Sequence, residues 1–132
     1  MDPELFEAAK AVRDQAYAPF SGYKVGAALR STSGRIFVGC NVENLSYGLT
    51  VCAERNAIGA MVAAGDREFT EIVVVTDDIG SPCGMCRQVL AEFSPGLKAT
   101  VNLASDEGEH TSIPLANLLP YPFKSDKVHR SK

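Results

Sequence analysis

EIVVVTDDIGSPCGMCRQVLAEF, Glu71 to Phe93, is the stretch on which the fold turns. Its opening, EIVVVT, is a β-branched run suited to a central strand buried on both faces. Ser81-Pro82 then reads as an N-cap followed by a proline at the first helical position, and predicts a helix to about Phe93. Ser94-Pro95-Gly96 ends that helix, and Lys98 to Leu103 reads as the next strand. A strand, a helix and a strand in succession are the unit of a parallel crossover.

Outward from this unit the pattern stays regular. VGAAL (Val25 to Leu29) and IFVGCNV (Ile36 to Val42) flank a Ser33-Gly34 turn and predict an antiparallel pair. Asp2-Pro3-Glu4 starts a helix in which Leu5, Ala8, Ala9, Val12 and Ala16 recur at helical spacing, with Pro19 and Gly22 beyond it. A polar loop, Glu43 to Thr50, leads to a helix from about Cys52 to Ala64, stopped by Gly65. After Leu103, a turn at Asp106 to Gly108 precedes a weak strand near Ser112 and a short helix from Leu115 to Leu119. The order is α, β, β, α, β, α, β, β, α. It predicts an α/β domain with a mixed five-stranded sheet between helices on both faces, a three-layer α/β/α arrangement. The 132 residues suit one domain, set at 1–123, with 124–132 as a C-terminal tail.

Composition narrows the function. Hydrophobic residues are 45% and charged residues 22%, ordinary for a soluble globular chain. No apolar run approaches the roughly 18 residues that a membrane span needs. The start, MDPELFEAAK, has none of the features of a secretory signal, so a cytoplasmic protein with reduced thiols is expected. A net charge of −3 speaks against a nucleic-acid partner, and the one basic cluster is the short tail from Lys124 to Lys132.

The chemistry gathers at two helix starts. TVCAERNAIG (Thr50 to Gly59) carries Cys52, Glu54 and Arg55, and SPCGMC carries Cys83 and Cys86. A helix N-terminus favours the thiolate, the form that binds metal. Cys83 and Cys86, three apart, share a helical face. With Cys52 they supply three sulfurs, and three protein ligands with one open position make a catalytic zinc site. Glu54 beside the open position could move protons between water and a leaving group. Three thiolates leave the metal site anionic, and a guanidinium at Arg55 donating to the sulfurs would draw that charge away.

Other readings compete. A lone C-x-x-C also serves redox motifs and structural zinc, although a redox motif would be expected after the first strand rather than the third. A closed four-cysteine site would need Cys40, which sits in an apolar strand where a cysteine is more often a small core residue. Asn41 and Glu43, two apart at a strand end, face one side and suit a diol, or else make local turn hydrogen bonds. Tyr23 and Phe123 could serve as plain core or interface aromatics.

The joint pattern C-x-E followed by P-C-x-x-C is the signature of zinc-dependent deaminases. PFSGYKVGAAL, GRIFVGCNVENLSYGLTVCAER and SPCGMCRQVLAEF further resemble the small cytidine deaminases, over about Ala9 to Phe123. The resemblance implies a cytidine-deaminase-like fold and hydrolysis of cytidine and 2'-deoxycytidine to uridine and 2'-deoxyuridine, releasing ammonia, in pyrimidine salvage. It implies one Zn²⁺ per chain on Cys52, Cys83 and Cys86, with Glu54 as the proton shuttle. It implies that Asn41 and Glu43 bind the ribose hydroxyls and that the Ala53 amide holds the pyrimidine carbonyl. Tyr23, where many relatives carry phenylalanine, and Phe20 match aromatics near the base. Tyr47 and Phe123 match positions that complete a neighbouring subunit's site in a homotetramer. Blasticidin S deaminases share the cysteine pattern, but the intact NVEN favours an unmodified ribose. Editing deaminases usually carry histidine where Cys52 stands. A non-catalytic zinc module would have no need of Glu54, Asn41 and Glu43 together.

Overall fold

The computed structural model describes residues 1–123. The tail expected over 124–132 lies outside them. The element order is α1 (Pro3–Arg13), β1 (Gly26–Ser31), β2 (Ile36–Cys40), α2 (Ala53–Ala63), β3 (Phe69–Val75), α3 (Gly84–Glu92), β4 (Thr100–Ala104), β5 (His110–Pro114) and α4 (Leu115–Leu118). The sheet order is β2-β1-β3-β4-β5. Only β3 and β4 run parallel, with Ile72 opposite Val101 and Val74 opposite Leu103, so the crossover through α3 is the one the sequence called for. β1 pairs antiparallel with both β2 and β3, and β4 with β5.

Side-chain alternation along the strands divides the core into two layers. Ala28, Val73, Val75 and Ala104 face α1 and pack against Leu5 and Ala9. Ala27, Leu29, Ile72, Val74, Val101 and Leu103 face the other way, onto Ala53, Ala57, Ile58 and Met61 of α2 and Leu90 of α3. The three-layer mixed sheet expected from the sequence is therefore present.

α2 lies close on β2 because residue 39 is glycine. A Cβ there would fall 2.6 Å from the Ala53 carbonyl oxygen and 2.8 Å from the carbonyl carbon of Asn56, and would also press on the Ala57 amide. This approach fixes the height of the first turn of α2, and with it Cys52 and Glu54.

Of the boundaries that differ from the sequence reading, three have a clear cause. α1 ends at Arg13, short of Ala16, because the chain turns to pair Tyr17 with Val42. The β2 ladder ends at Cys40, not Val42, because Val42 pairs with Val51 across the loop instead. The N-cap of α3 is Cys83, whose sulfur accepts from the Cys86 amide at 3.4 Å, and not Ser81. Ser81 has another partner: its hydroxyl accepts from Arg87 Nη2 at 2.6 Å.

Candidate active site

α2 and α3 both start on the same side of the sheet, and each start presents a cysteine. Cys52 is the N-cap of α2 and Cys83 the N-cap of α3, with Cys86 one turn further on. The Sγ atoms of Cys52 and Cys83 are 3.8 Å apart, those of Cys83 and Cys86 3.2 Å, and all three lie within 4.8 Å of one another. Tetrahedral zinc with Zn–S bonds of about 2.3 Å places its sulfurs roughly 3.8 Å apart, so the three fit one ion. Among the described residues no fourth ligand joins them. Cys40 stays on β2, half-buried, while its carbonyl accepts from Asn56 Nδ2 at 2.8 Å. The closed four-cysteine site is not formed.

The thiols are unequal. Cys52 is drawn down to about 5, first by a hydrogen bond from Cys86 and then by Arg55, against the effect of burial. Cys86, donating to Cys52 and buried, is pushed up. Such a cluster holds one ready thiolate and gives up further protons when a dication arrives. Arg55 sits against it. One guanidinium nitrogen donates to the Thr50 carbonyl at 3.0 Å, and its buried Nε has no hydrogen-bond partner. Burial opposes the Arg55 charge, but Cys52 and Cys86 outweigh it.

Glu54, on the first turn of α2, is 4% exposed. Burial raises its carboxyl to about 7, with a further push from Cys52 and partial relief from its own amide and Arg55. A carboxyl poised there can take and return protons at neutral pH.

A cavity of about 190 Å³ opens over this floor, lined by Tyr23, Asn41, Cys52, Ala53, Glu54 and Cys83, among others. Ala53 is the first residue of α2, so its amide has no partner within the helix and can serve a ligand acceptor. Asn41 is buried, and its amide bridges the wall: Oδ1 accepts from the Val25 amide at 2.9 Å and Nδ2 donates to the Tyr23 carbonyl at 2.8 Å. These partners are distant in sequence, so Asn41 is not making a local turn. Glu43 accepts from the amides of Phe20 and Ser21, at 2.9 and 3.1 Å, and from the Ser21 hydroxyl, which holds its carboxyl below the usual range. Asn41 and Glu43 thus reach the same side, onto the 20–25 loop.

Glu43, Tyr47 and Phe123 do not line the cavity of the single chain. Tyr47 is 74% exposed and meets Phe20 edge to face at 6.0 Å. Phe123 is 85% exposed, with its backbone held on both sides by the Gln88 amide, at 2.7 and 3.2 Å. The sequence reading missed Thr50, Thr76, Gly80 and Ser81, which also line the cavity. Polar residues at the carboxyl end of an apolar strand, as in Thr76-Asp77-Asp78, were the available signal.

Comparison with known proteins agrees with this geometry. Residues 1–102 match the sequence model of the family described as "Cytidine and deoxycytidylate deaminase zinc-binding region". The chain is 45% identical over 131 residues to a cytidine deaminase of Sporosarcina psychrophila, covering 97% of this chain and 96% of that one. A crystal structure of cytidine deaminase from Burkholderia pseudomallei superposes with a TM-score of 0.87 at 46% identity, covering 93% of this chain and 99% of that one. The Mycobacterium tuberculosis cytidine deaminase gives 0.80 at 35% identity, covering 92% and 96%. With its three-sulfur cluster, its buried glutamate and these relatives, the chain belongs to the family of zinc-dependent cytidine and deoxycytidylate deaminases.

Proposed function

We propose that the protein hydrolyses cytidine and 2'-deoxycytidine to uridine and 2'-deoxyuridine, with release of ammonia, in pyrimidine salvage. The observation that carries this is the buried Glu54 carboxyl, raised to about 7, beside three cysteines that fit one zinc ion. Zinc held by Cys52, Cys83 and Cys86 supplies a Lewis acid that makes water nucleophilic at neutral pH. Glu54 takes a proton from the water as its oxygen attacks C4, and passes that proton to N3 of the ring. As C4–O becomes a carbonyl, the second proton goes by way of Glu54 to the amino group, and ammonia leaves. The Ala53 amide orients the pyrimidine carbonyl. Tyr23 packs beside the base, and Asn41 and Glu43 face the ribose. Arg55 spreads the thiolate charge.

No lysine or arginine lines the cavity among the described residues, which supports a neutral nucleoside over a nucleotide. Exposed apolar side chains include Leu45, Tyr47, Leu49, Met85, Tyr121 and Phe123. This supports a homotetramer in which Tyr47 and Phe123 complete a neighbour's site. Among the described residues no helix is long and apolar enough to cross a membrane. Four free cysteines, three of them metal ligands, support a cytoplasmic location where thiols stay reduced. No nucleic-acid or membrane partner is proposed, in line with the net charge of −3.

The test is incubation of cytidine with zinc-loaded protein, followed by ultraviolet absorbance and ammonia release. A steady fall in absorbance with one ammonia per uridine is expected. Bound zinc with no turnover on cytidine, and turnover on blasticidin S instead, would replace this substrate assignment.

A further inference from the structure

Two loops that help to line the cavity meet at one contact. Tyr23, before β1, donates its hydroxyl to Asp78 Oδ1 at 2.8 Å. Asp78 lies between Thr76 and Gly80, which both line the cavity. The Thr76 hydroxyl donates to the same Asp78 oxygen at 3.3 Å and accepts from the Gly80 amide at 2.7 Å. Gly80 has no room for a side chain: a Cβ would press on the Tyr23 hydroxyl and fall 3.1 Å from Asp78 Oδ1. Between them Ile79 has φ 57°, a left-handed conformation unfavourable for a β-branched residue. Such a conformation persists only where its surroundings hold it.

The surroundings here are specific. Arg13, 9% exposed, donates Nε to the Lys24 carbonyl at 2.8 Å and ion-pairs with Asp77, and with Asp106 at 2.7 Å. It therefore grips the residues next to both Tyr23 and Asp78. Asn41 fixes the Tyr23 backbone. The Tyr23 hydroxyl is then the contact that joins the two walls, and the strained loop runs from it into Ser81, Pro82 and Cys83.

We propose that Asp78 is a positioning residue for the reaction, latching the 76–80 loop to Tyr23 so that the wall against the pyrimidine stays closed. This rests on the deaminase reading above. The latch shapes the binding wall and does not touch the reacting atoms, so its loss weakens KM and spares kcat.

Cytidine kinetics on zinc-loaded Tyr23→Phe, Asp78→Ala, Asp78→Asn and the Tyr23→Phe/Asp78→Ala double variant test this. Loss of this one exposed hydrogen bond corresponds to a rise in KM of about fivefold to tenfold, with kcat within about twofold. The double variant should match Asp78→Ala, which also loses the Thr76 contact, rather than multiply the singles, because both singles remove the Tyr23–Asp78 bond. Asp78→Asn keeps an acceptor and should restore most of the wild-type KM. Hydrogen exchange at the Gly80 amide, which needs no turnover, should quicken in Tyr23→Phe and Asp78→Ala. Unchanged exchange and KM in Tyr23→Phe, whose ring leaves the packing intact, overturn the latch. So does a multiplicative double variant. Faster exchange in the variants of a protein that does not turn over cytidine keeps the latch and rejects the substrate instead.

Discussion

Replacing Gly39 with alanine should disable the enzyme from a position outside the cavity. The added Cβ would lie 2.6 Å from the Ala53 carbonyl oxygen, and ordinary contact begins at 3.4 Å. The difference, 0.8 Å, is the least by which α2 must lift from β2 or β2 must bend away, and the closer Ala57 amide demands more. The obstacle is backbone on α2, so no side-chain rotation relieves it. Overpacking of this kind costs about 1–3 kcal/mol of stability. The displaced turn carries Cys52 and Glu54, and a misplacement near 1 Å costs about 100-fold in rate. Gly59 is the control, since it lies in the same helix with nothing within 4 Å of an added Cβ. Gly59→Ala should gain about 0.5–1 kcal/mol and keep full activity. The assay is kcat/KM on cytidine with zinc content and a denaturant midpoint on the same samples. A Gly39→Ala protein with wild-type stability and rate would refute the claim that the approach of α2 to β2 sets the site.

The other expectations are more local. Arg55→Ala leaves the cluster without the cation that lowers Cys52, so zinc affinity and turnover should both fall, by about tenfold to 100-fold; a chelator competition unchanged from wild type would contradict this. Cys40→Ser should retain one zinc per chain by metal analysis, because Cys40 lies outside the sulfur cluster. Asp66 is held well below the usual carboxylate range by Arg35, with Ser33 and Ser31 adding to it. Its folded pKa is depressed, so its contribution is complete above the unfolded value of 3.8 and shrinks as pH falls below that. The stability gap between wild type and Asp66→Asn should therefore be constant from pH 7 to 5 and narrow towards pH 2; a gap independent of pH would exclude the effect.

Much of the fold was legible because its signals were local. The EIVVVT run, the Asp2-Pro3 start and the stops at Gly65 and Pro95-Gly96 each mark an element through backbone chemistry that tertiary contacts did not override. Cys52, Cys83 and Cys86 were legible because metal ligation demands few residue types at fixed spacing, and they do converge. The α3 cap was misread because cysteine seldom caps a helix, whereas Ser81-Pro82 looks like a start. Thr76-Asp77-Asp78 marked a polar strand end, but the pairing of Asp78 with Tyr23 was not legible, since the two are distant in sequence and only the fold brings them together. Glu43 was legible as sharing a side with Asn41 and suiting a diol, but not as a residue that clamps the Phe20 and Ser21 amides. Tyr47 and Phe123 offer little within one chain, where both side chains point to solvent.

The most direct test of the account is turnover and metal content of Glu54→Gln. The amide fills the same space beside the sulfurs but cannot carry a proton between water, N3 and the amino group. Zinc should stay at one per chain while kcat for cytidine falls by about 10²- to 10⁴-fold. A zinc-loaded Glu54→Gln protein that deaminates cytidine within tenfold of wild type would contradict the account at its centre.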